Sequence, residues 1–397
     1  MSTNLWSENT PDLFWRCEPN PTPEQWQAAI HKKIPILGLS HPPPESNQLV
    51  EQVLGEGQFG PDRWRLSRIK RLYYEIKPLM PRPVIVALRQ LYSRGAEDET
   101  LLQWPIEPRY ANFLWEVLNE VQAMTGGVLK HRPLWPEGRP YAFVLTHDIE
   151  TAAGQAFMRT IADIDESFGF RSSVNFIPER YKLDFALMDE LRERGFEVGV
   201  HGLKHDGKEF QSQQVFMQRA ERINRYLKDF QAVGFRAPLM HRQPEWMQIL
   251  EMDYDLSFFD TDPYEPMPGG VMTIWPYFVG RFVELPYTLA QDHTLVKVLG
   301  ETTPHLWIQK VNFIEQNRGM ALVNTHPDYL MDSAVMEVYV GFLRHMKLRG
   351  GFWNALPCEV AQWWRRRAST EMIDEFEGLA GKAVNLSPML EQQGQFA

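Results

Sequence analysis

From about residue 140 onward the sequence predicts an α/β domain built on parallel strands. Short apolar runs alternate regularly with amphipathic helical patterns, the signature of βα units. Run after run stops in polar residues: Thr146-His147-Asp148, Asn175, His201, Arg236, Asp260 and Asn324-Thr325-His326. In barrel-like α/β folds the active site gathers at that C-terminal rim, so function is sought there. The chain ahead of this domain reads as a mainly helical and irregular extension.

Residues 1–60 are rich in Pro, Asn and Gln, with Trp6, Trp15 and Trp26 among them. The run His41-Pro42-Pro43-Pro44-Glu45 bars helix and central strand alike. The stretch reads as an irregular arm, mobile in parts, whose tryptophans dock on the main body. Residues 61–138 form a helical basic extension. Between Arg63 and Arg94 there are nine Lys or Arg against one acid, Glu75, interleaved with Trp64, Leu66, Ile69, Leu72, Tyr73 and Ile76. Such a segment is either the solvated face of helices packed on the core or a surface for anionic lipid and phosphate. An amphipathic helix follows over 109–124, ended by Gly126-Gly127. Within the main domain, 139–367, strands are expected at 142–146, 172–177, 196–200, 234–237, 256–260, 282–285 and 320–325, with a late one near 352–355. Helical patterns lie between them at 183–194, 211–230, 245–252, 305–316 and 333–348. The tail, 368–397, is acidic and then polar, and reads as a short helix over 371–380 with a loose end.

The 397 residues suffice for one large domain plus an extra module. A net charge of −10 argues against general nucleic-acid binding, which needs a basic footprint. Two cysteines, Cys17 and Cys358, make neither a disulfide framework nor a cysteine-rich zinc site. The first residues have no basic and apolar leader pattern, and no apolar run approaches the roughly 20 residues of a membrane span. The expected location is the cytoplasm.

The stretch 142–150, Ala-Phe-Val-Leu-Thr-His-Asp-Ile-Glu, organises the chemistry. Side chains two apart on a strand share a face, so Thr146, Asp148 and Glu150 point one way and His147 and Ile149 the other. Two carboxylates facing together at a strand end call for a cation between them. Some fifty residues on, His201-Gly-Leu-Lys-His205 follows another strand, and two imidazoles four apart fit as ligands of that cation. One carboxylate with these two histidines leaves open positions for water and substrate. Hydrolysis of an amide then needs a base and an acid. Asp148 fits the base, with Arg236 pairing it and keeping it ionised. His326 fits the acid, with Asp260 or Asp262 orienting it and raising its proton affinity. Tyr264 and Trp275 either stack on a sugar face or pack in the core. Asp292 and His293, after Tyr287, either line the substrate cleft or cap the next helix.

Taken together, Thr-His-Asp148-Ile-Glu150, His201-x3-His205, Arg236-Ala-Pro238, Asp260-Thr-Asp262-Pro and Asn-Thr-His326-Pro fall in the order of the NodB-homology polysaccharide deacetylases (carbohydrate esterase family 4), which residues 140–360 resemble. The resemblance implies a distorted (β/α)7-type barrel. It also implies removal of an acyl group, usually N-acetyl, from an amino sugar with a bound divalent metal. A subgroup making surface polysaccharides is similar in 260–266 and 284–289 as well, which points to an N-acetylated glycan or a lipid-linked oligosaccharide as substrate. The basic segment 63–94 would then rest on the inner membrane face. Zinc heads the metals suited to this donor set, with cobalt, nickel and manganese also accepted. The family pattern has adjacent acids or Asp-x-Asp where this chain has Asp148-Ile-Glu150, so Glu150 takes the place of the ligand carboxylate. A Glu150 too far from the histidines would leave Asp148 as ligand and the barrel as a carbohydrate-binding or scaffold protein. Deformylase or amidase action on a non-sugar substrate is the other chemistry such a site allows.

Overall fold

The computed structural model describes residues 4–66, 76, 80, 101–127, 129–267, 269–369 and 377–378. Its centre is strand β3 (Ala142–Ile149), preceded in the chain by the two-residue strands β1 (Cys17–Glu18) and β2 (Lys130–His131). All eight residues of β3 are buried. A strand covered on both faces has no solvent side to mark, which is why 142–145 reads as an unbroken apolar run. On one side β3 pairs in parallel with β10 (Met320–Thr325), from Met320↔Ala142 to Thr325↔His147. On the other side the parallel order continues through β4 (Ser172–Phe176), β5 (Glu197–His201), β6 (Gly234–Arg236), β7 (Tyr254–Asp255) and β9 (Phe282–Glu284). Strand β8 (Tyr277–Val279) makes an antiparallel hairpin with β9, and β11 (Trp353–Asn354) adds to the start of β3.

Beyond β9 the chain crosses back to the first edge. Phe259 bridges Tyr287 and Leu289 bridges Val323, both in parallel. The backbone N–H groups of Thr288 and Leu289 donate to the Leu322 carbonyl at 3.1 Å, and the Leu322 N–H donates to the Thr288 hydroxyl at 3.0 Å. Among the described residues, seven parallel strands therefore curl into a barrel closed by a thin seam. This is the distorted (β/α)7 form expected.

Helices cover the strands. In α5 (Ala152–Phe168) Met158, Ile161 and Ala162 face the sheet; in α7 (Gln213–Asp229) Phe216, Ala220, Ile223 and Leu227 do so. Both follow the three- and four-residue spacing of one helix face. Thr151 and Ser212 cap their N-termini through Gly154 and Val215. Between these two lies α6 (Phe185–Glu193), and α9 (His305–Gln316), α11 (Ser333–Arg349) and α12 (Pro357–Ala368) come later. Among the described residues no helix is long and apolar enough to cross a membrane.

Several boundaries differ from the sequence reading. Strand β7 is Tyr254–Asp255, ahead of the expected 256–260. The Glu284 carboxylate takes the Phe258 N–H at 3.1 Å, so a side chain replaces the ladder there. The helix expected over 245–252 is a single turn, α8 (Pro244–Met247). The Gln248 amide donates to the Pro244 carbonyl at 3.1 Å and to Val279 O at 3.2 Å, drawing the chain off its helical path. Of the expected tail helix, only residues 377–378 are described, and they form a strand (Glu377–Gly378) antiparallel to β2.

The arm read as irregular contains helices α1 (Pro11–Trp15), α2 (Pro23–Lys33) and α3 (Ser46–Val53). Pro11 and Pro23 stand at helix starts, where the missing N–H costs nothing, so they begin helices rather than bar them. Thr22 and Gln25 form a reciprocal capping box. Helix α2 packs on α4 (Arg109–Thr125), with Lys33 paired to Glu116 at 2.7 Å. Trp6, Trp15 and Trp26 are all buried, Trp15 donating to Leu114 O at 3.0 Å. Most of the basic stretch 63–94, read as helical with either a solvated face or a surface for anionic lipid, lies outside the described residues.

Candidate metal and hydrolytic centre

The strand ends of the barrel bring Asp148, Glu150, His201, His205, Arg236 and His326 to one rim. Strand β3 fixes the first two by its pleat. His147 points outward, hydrogen-bonded to Thr325 Oγ1 at 2.7 Å and to Asp165 of α5 at 3.0 Å. Thr146 and Asp148 therefore face the interior.

Asp148 is buried and held by three hydrogen bonds. Its Oδ1 accepts from Asn175 Nδ2 at 2.9 Å and Arg236 Nη1 at 3.0 Å, and its Oδ2 from Asn324 Nδ2 at 2.8 Å. Burial by itself would raise this carboxyl, but the Arg236 guanidinium, then His201, His326 and the Asn175 bond, hold it below the usual carboxylate range. Arg236 is itself aimed by Leu256 O at 3.0 Å and by Thr146 Oγ1 at 3.0 Å. Asp148 and Arg236 thus pair as the sequence reading expects.

Glu150, one residue past β3, reaches the histidines. Its Oε1 lies 3.1 Å from His205 Nε2. One ligand atom each from Glu150, His201 and His205 fall within 4.8 Å of one another, a group able to hold a metal ion. The donor chemistry fits. His201 Nδ1 lies 3.1 Å from the Arg236 carbonyl, which can only accept, so Nδ1 carries the hydrogen and Nε2 keeps its lone pair. Burial pushes His201 down to about 4, the neighbouring His205 adding to that while Asp148 opposes it, so the ring is neutral as a ligand must be. His201 Nε2 stands 4.0 Å from Asp148 Oδ2, which puts Asp148 beside the cluster of Glu150, His201 and His205. The loop between the histidines turns on Gly202, whose φ of 56° and contact with Pro238 leave no place for a Cβ. Glu209 holds the same loop by accepting the Leu203 N–H at 2.9 Å.

His326 sits opposite. The expected orienting carboxylates, Asp260 and Asp262, are elsewhere. Asp260 is paired to Lys310 at 2.7 Å, and Asp262 accepts the Tyr287 hydroxyl at 2.9 Å. Asp292 does the orienting: its Oδ1 lies 2.8 Å from His326 Nδ1, and its Oδ2 accepts the His326 N–H at 2.8 Å. Asp292 also accepts from the His293 N–H at 2.8 Å, so it caps its own turn as well. Burial works against a charged His326, but the Asp292 charge and hydrogen bond outweigh it, with Glu150 and Asp148 adding, and raise it to about 9.

The proposed substrate wall divides. Trp275 is fully buried, donates to Arg318 O at 2.8 Å and packs edge-on to Phe14, so it belongs to the core. Tyr287 is also buried, its hydroxyl between Asp262 and Glu265 at 2.9 and 2.7 Å, and presents no open face. Tyr264 is half-buried, edge-on to Trp104. His293 packs on Tyr329, whose ring also meets His326 at 5.3 Å. Asn175 and Asn324 stand at strand ends already marked as polar, yet nothing in their spacing reveals that both hold Asp148. Asp292 and Asp328 carry no periodic signal at all.

No protein-family profile matches the chain, and no characterised protein matches it by sequence. Solved structures match part of it. A provisionally named polysaccharide deacetylase from Mycobacterium smegmatis is 19% identical, with 59% of this chain and 94% of that one covered at a TM-score of 0.47. The Puue allantoinase is 12% identical, covering 59% and 93% at 0.46. A family 4 pseudoenzyme from Bacillus anthracis is 15% identical, covering 57% and 66% at 0.37. At these TM-scores the likenesses fix neither family nor activity.

Proposed function

We propose that the protein is a metal-dependent hydrolase that removes an N-acyl group, acetyl first among them, from an amino sugar of a glycan or lipid-linked glycan precursor. The observation that carries this reading is the meeting, at one barrel rim, of three side chains able to ligate a cation, a carboxylate held below its usual range by Arg236 and an imidazole raised by Asp292. Glu150, His201 and His205 would hold the cation, zinc by the character of the donors. When bound, it polarises the scissile carbonyl and makes water easier to deprotonate.

The chain supplies the rest. Asp148, ionised and fixed by Asn175, Asn324 and Arg236, takes a proton from the attacking water on the His201 side. His326, hydrogen-bonded through Nδ1 to Asp292, keeps its Nε2–H for the leaving nitrogen, which departs as an amine. Because Glu150 lies within reach of His205, Asp148 remains free to act as the base, and no loss of turnover need be invoked for the Glu-for-Asp departure.

Purified protein should carry about one divalent ion per chain. His201→Ala should remove both ion and turnover of N-acetylated amino sugars. Asp148→Asn should keep the ion and slow turnover by roughly 10²–10⁴-fold. A protein that cannot be loaded with metal, or full activity in His201→Ala, overturns the reading. The same proposal places the enzyme in the cytoplasm with 63–94 against anionic lipid. Failure to float with anionic liposomes at low salt removes that part.

A further inference from the structure

We infer that Asp328 is a positioning residue that sets the cation ligand Glu150 against the acid His326, an inference that rests on the reading of Glu150 as a ligand. Asp328 lies two residues after His326, in the short helix α10 (Pro327–Leu330) for which His326 is the cap. Its carboxylate leaves that helix and crosses to the end of β3. There Oδ2 accepts the backbone N–H of Glu150 at 2.9 Å, and Oδ1 accepts the Thr151 hydroxyl in a short hydrogen bond. Thr151 in turn accepts the Gly154 N–H at 3.2 Å as cap of α5. One carboxylate thus ties together the ligand's own backbone, the start of the helix behind it and the loop that carries the acid.

The neighbouring residue makes room for this. A Cβ on Gly154 would fall 2.2 Å from Asp328 Oδ2 and 2.6 Å from its Cγ. The φ of Gly154 is not in the left-handed region, so the requirement is for space, not for conformation. Any larger side chain must push the Asp328 carboxylate away from Glu150. The site is also symmetrical in its supports. Asp292 holds His326 from one side through the imidazole and the N–H, and Asp328 holds Glu150 from the other through the N–H. Glu150 is one methylene longer than aspartate, and its reach to His205 depends on where its backbone leaves the strand. Asp328 fixes that point. Outer carboxylates of this kind, which never touch the cation, govern how well the ligands meet it.

The test is cobalt binding by the metal-free full chain, read by visible absorbance, with thermal melts of the same metal-free samples. Asp328→Ala and Gly154→Ala should each weaken cobalt affinity by roughly 10–100-fold. Asp328→Asn, which keeps one acceptor oxygen for the Glu150 N–H, should recover part of the loss. Thr151→Val removes the cap hydroxyl but leaves the Glu150 bond; it should lower the melting temperature while leaving cobalt affinity within a small factor of wild type. The cobalt result in Gly154→Ala separates the roles: alanine at 154 displaces the Asp328 carboxylate and lowers the melting temperature in either case, but a merely structural carboxylate would leave cobalt affinity unchanged. Unchanged cobalt affinity in Asp328→Ala and Gly154→Ala would reduce Asp328 to a helix cap and overturn the inference. Should Asp328→Ala not fold, Asp328→Asn and Gly154→Ala decide the matter. Wild type that takes up no cobalt, or His201→Ala that still does, is a different failure: it removes the metal reading on which this one stands.

Discussion

Two histidines with comparable burial are shifted in opposite directions, and their partners decide which. His201 meets a backbone carbonyl through Nδ1 and is pushed down to about 4, chiefly by burial. His326 meets the Asp292 carboxylate and is raised to about 9 although burial opposes it. A ligand must be neutral and an acid must hold its proton, so the difference suits the two roles proposed for them. The direction of the pH effect follows. The acid form of His326 is present below its raised value and lost as pH climbs through it, so the alkaline limb of kcat/KM lies at or below about 9, a bound cation drawing it lower. Asp292→Asn removes the charge that raises it, and the limb should move down towards the ordinary histidine value of about 6.5. A pH–rate profile of both proteins checks this; coincident limbs would free the acid from Asp292.

Regular elements were legible where burial is uniform. Strands β3, β4, β5, β6, β9 and β10 lie within a residue or two of their apolar runs at one end or both, because parallel strands covered on both faces write themselves as continuous apolar stretches. The cluster of Glu150, His201 and His205 was legible too, since a strand's two-residue period and the His-x3-His spacing are local facts. What a side chain does at a distance was not. Glu284 displaces β7 from the neighbouring strand β9, 26 residues away in the chain, and Asp292 reaches His326 over 34 residues while Asp260 and Asp262 look equally suitable in the chain. Proline content misled in the arm, where position matters more than number: Pro23 opens α2 behind the Thr22 cap. Thr22→Ala should therefore cost about 1 kcal/mol in denaturant unfolding, a loss that an irregular arm would not register.

The arm and the barrel behave as one body. Glu56, fully buried, pairs with the equally buried Arg242 and also accepts from Trp64 Nε1 at 2.7 Å and the Gly270 N–H at 2.8 Å. Arg242 lies against Phe258 and Phe259 with 4.9 Å to each ring. Removing one partner strands the other charge away from water, so Glu56→Ala should destabilise the whole molecule by roughly 3–5 kcal/mol. Glu56→Ala combined with Arg242→Met should regain much of that; equal losses in single and double variants would contradict it. The barrel's join runs through Thr288, Leu289 and Leu322, and three residues beyond Leu289 the same segment supplies Asp292. Parting the seam withdraws the carboxylate, and an imidazole left buried without it sheds its proton. If the seam is the first part to open on warming, the proposed turnover of N-acetylated amino sugars should be lost at temperatures where circular dichroism still reports an intact fold.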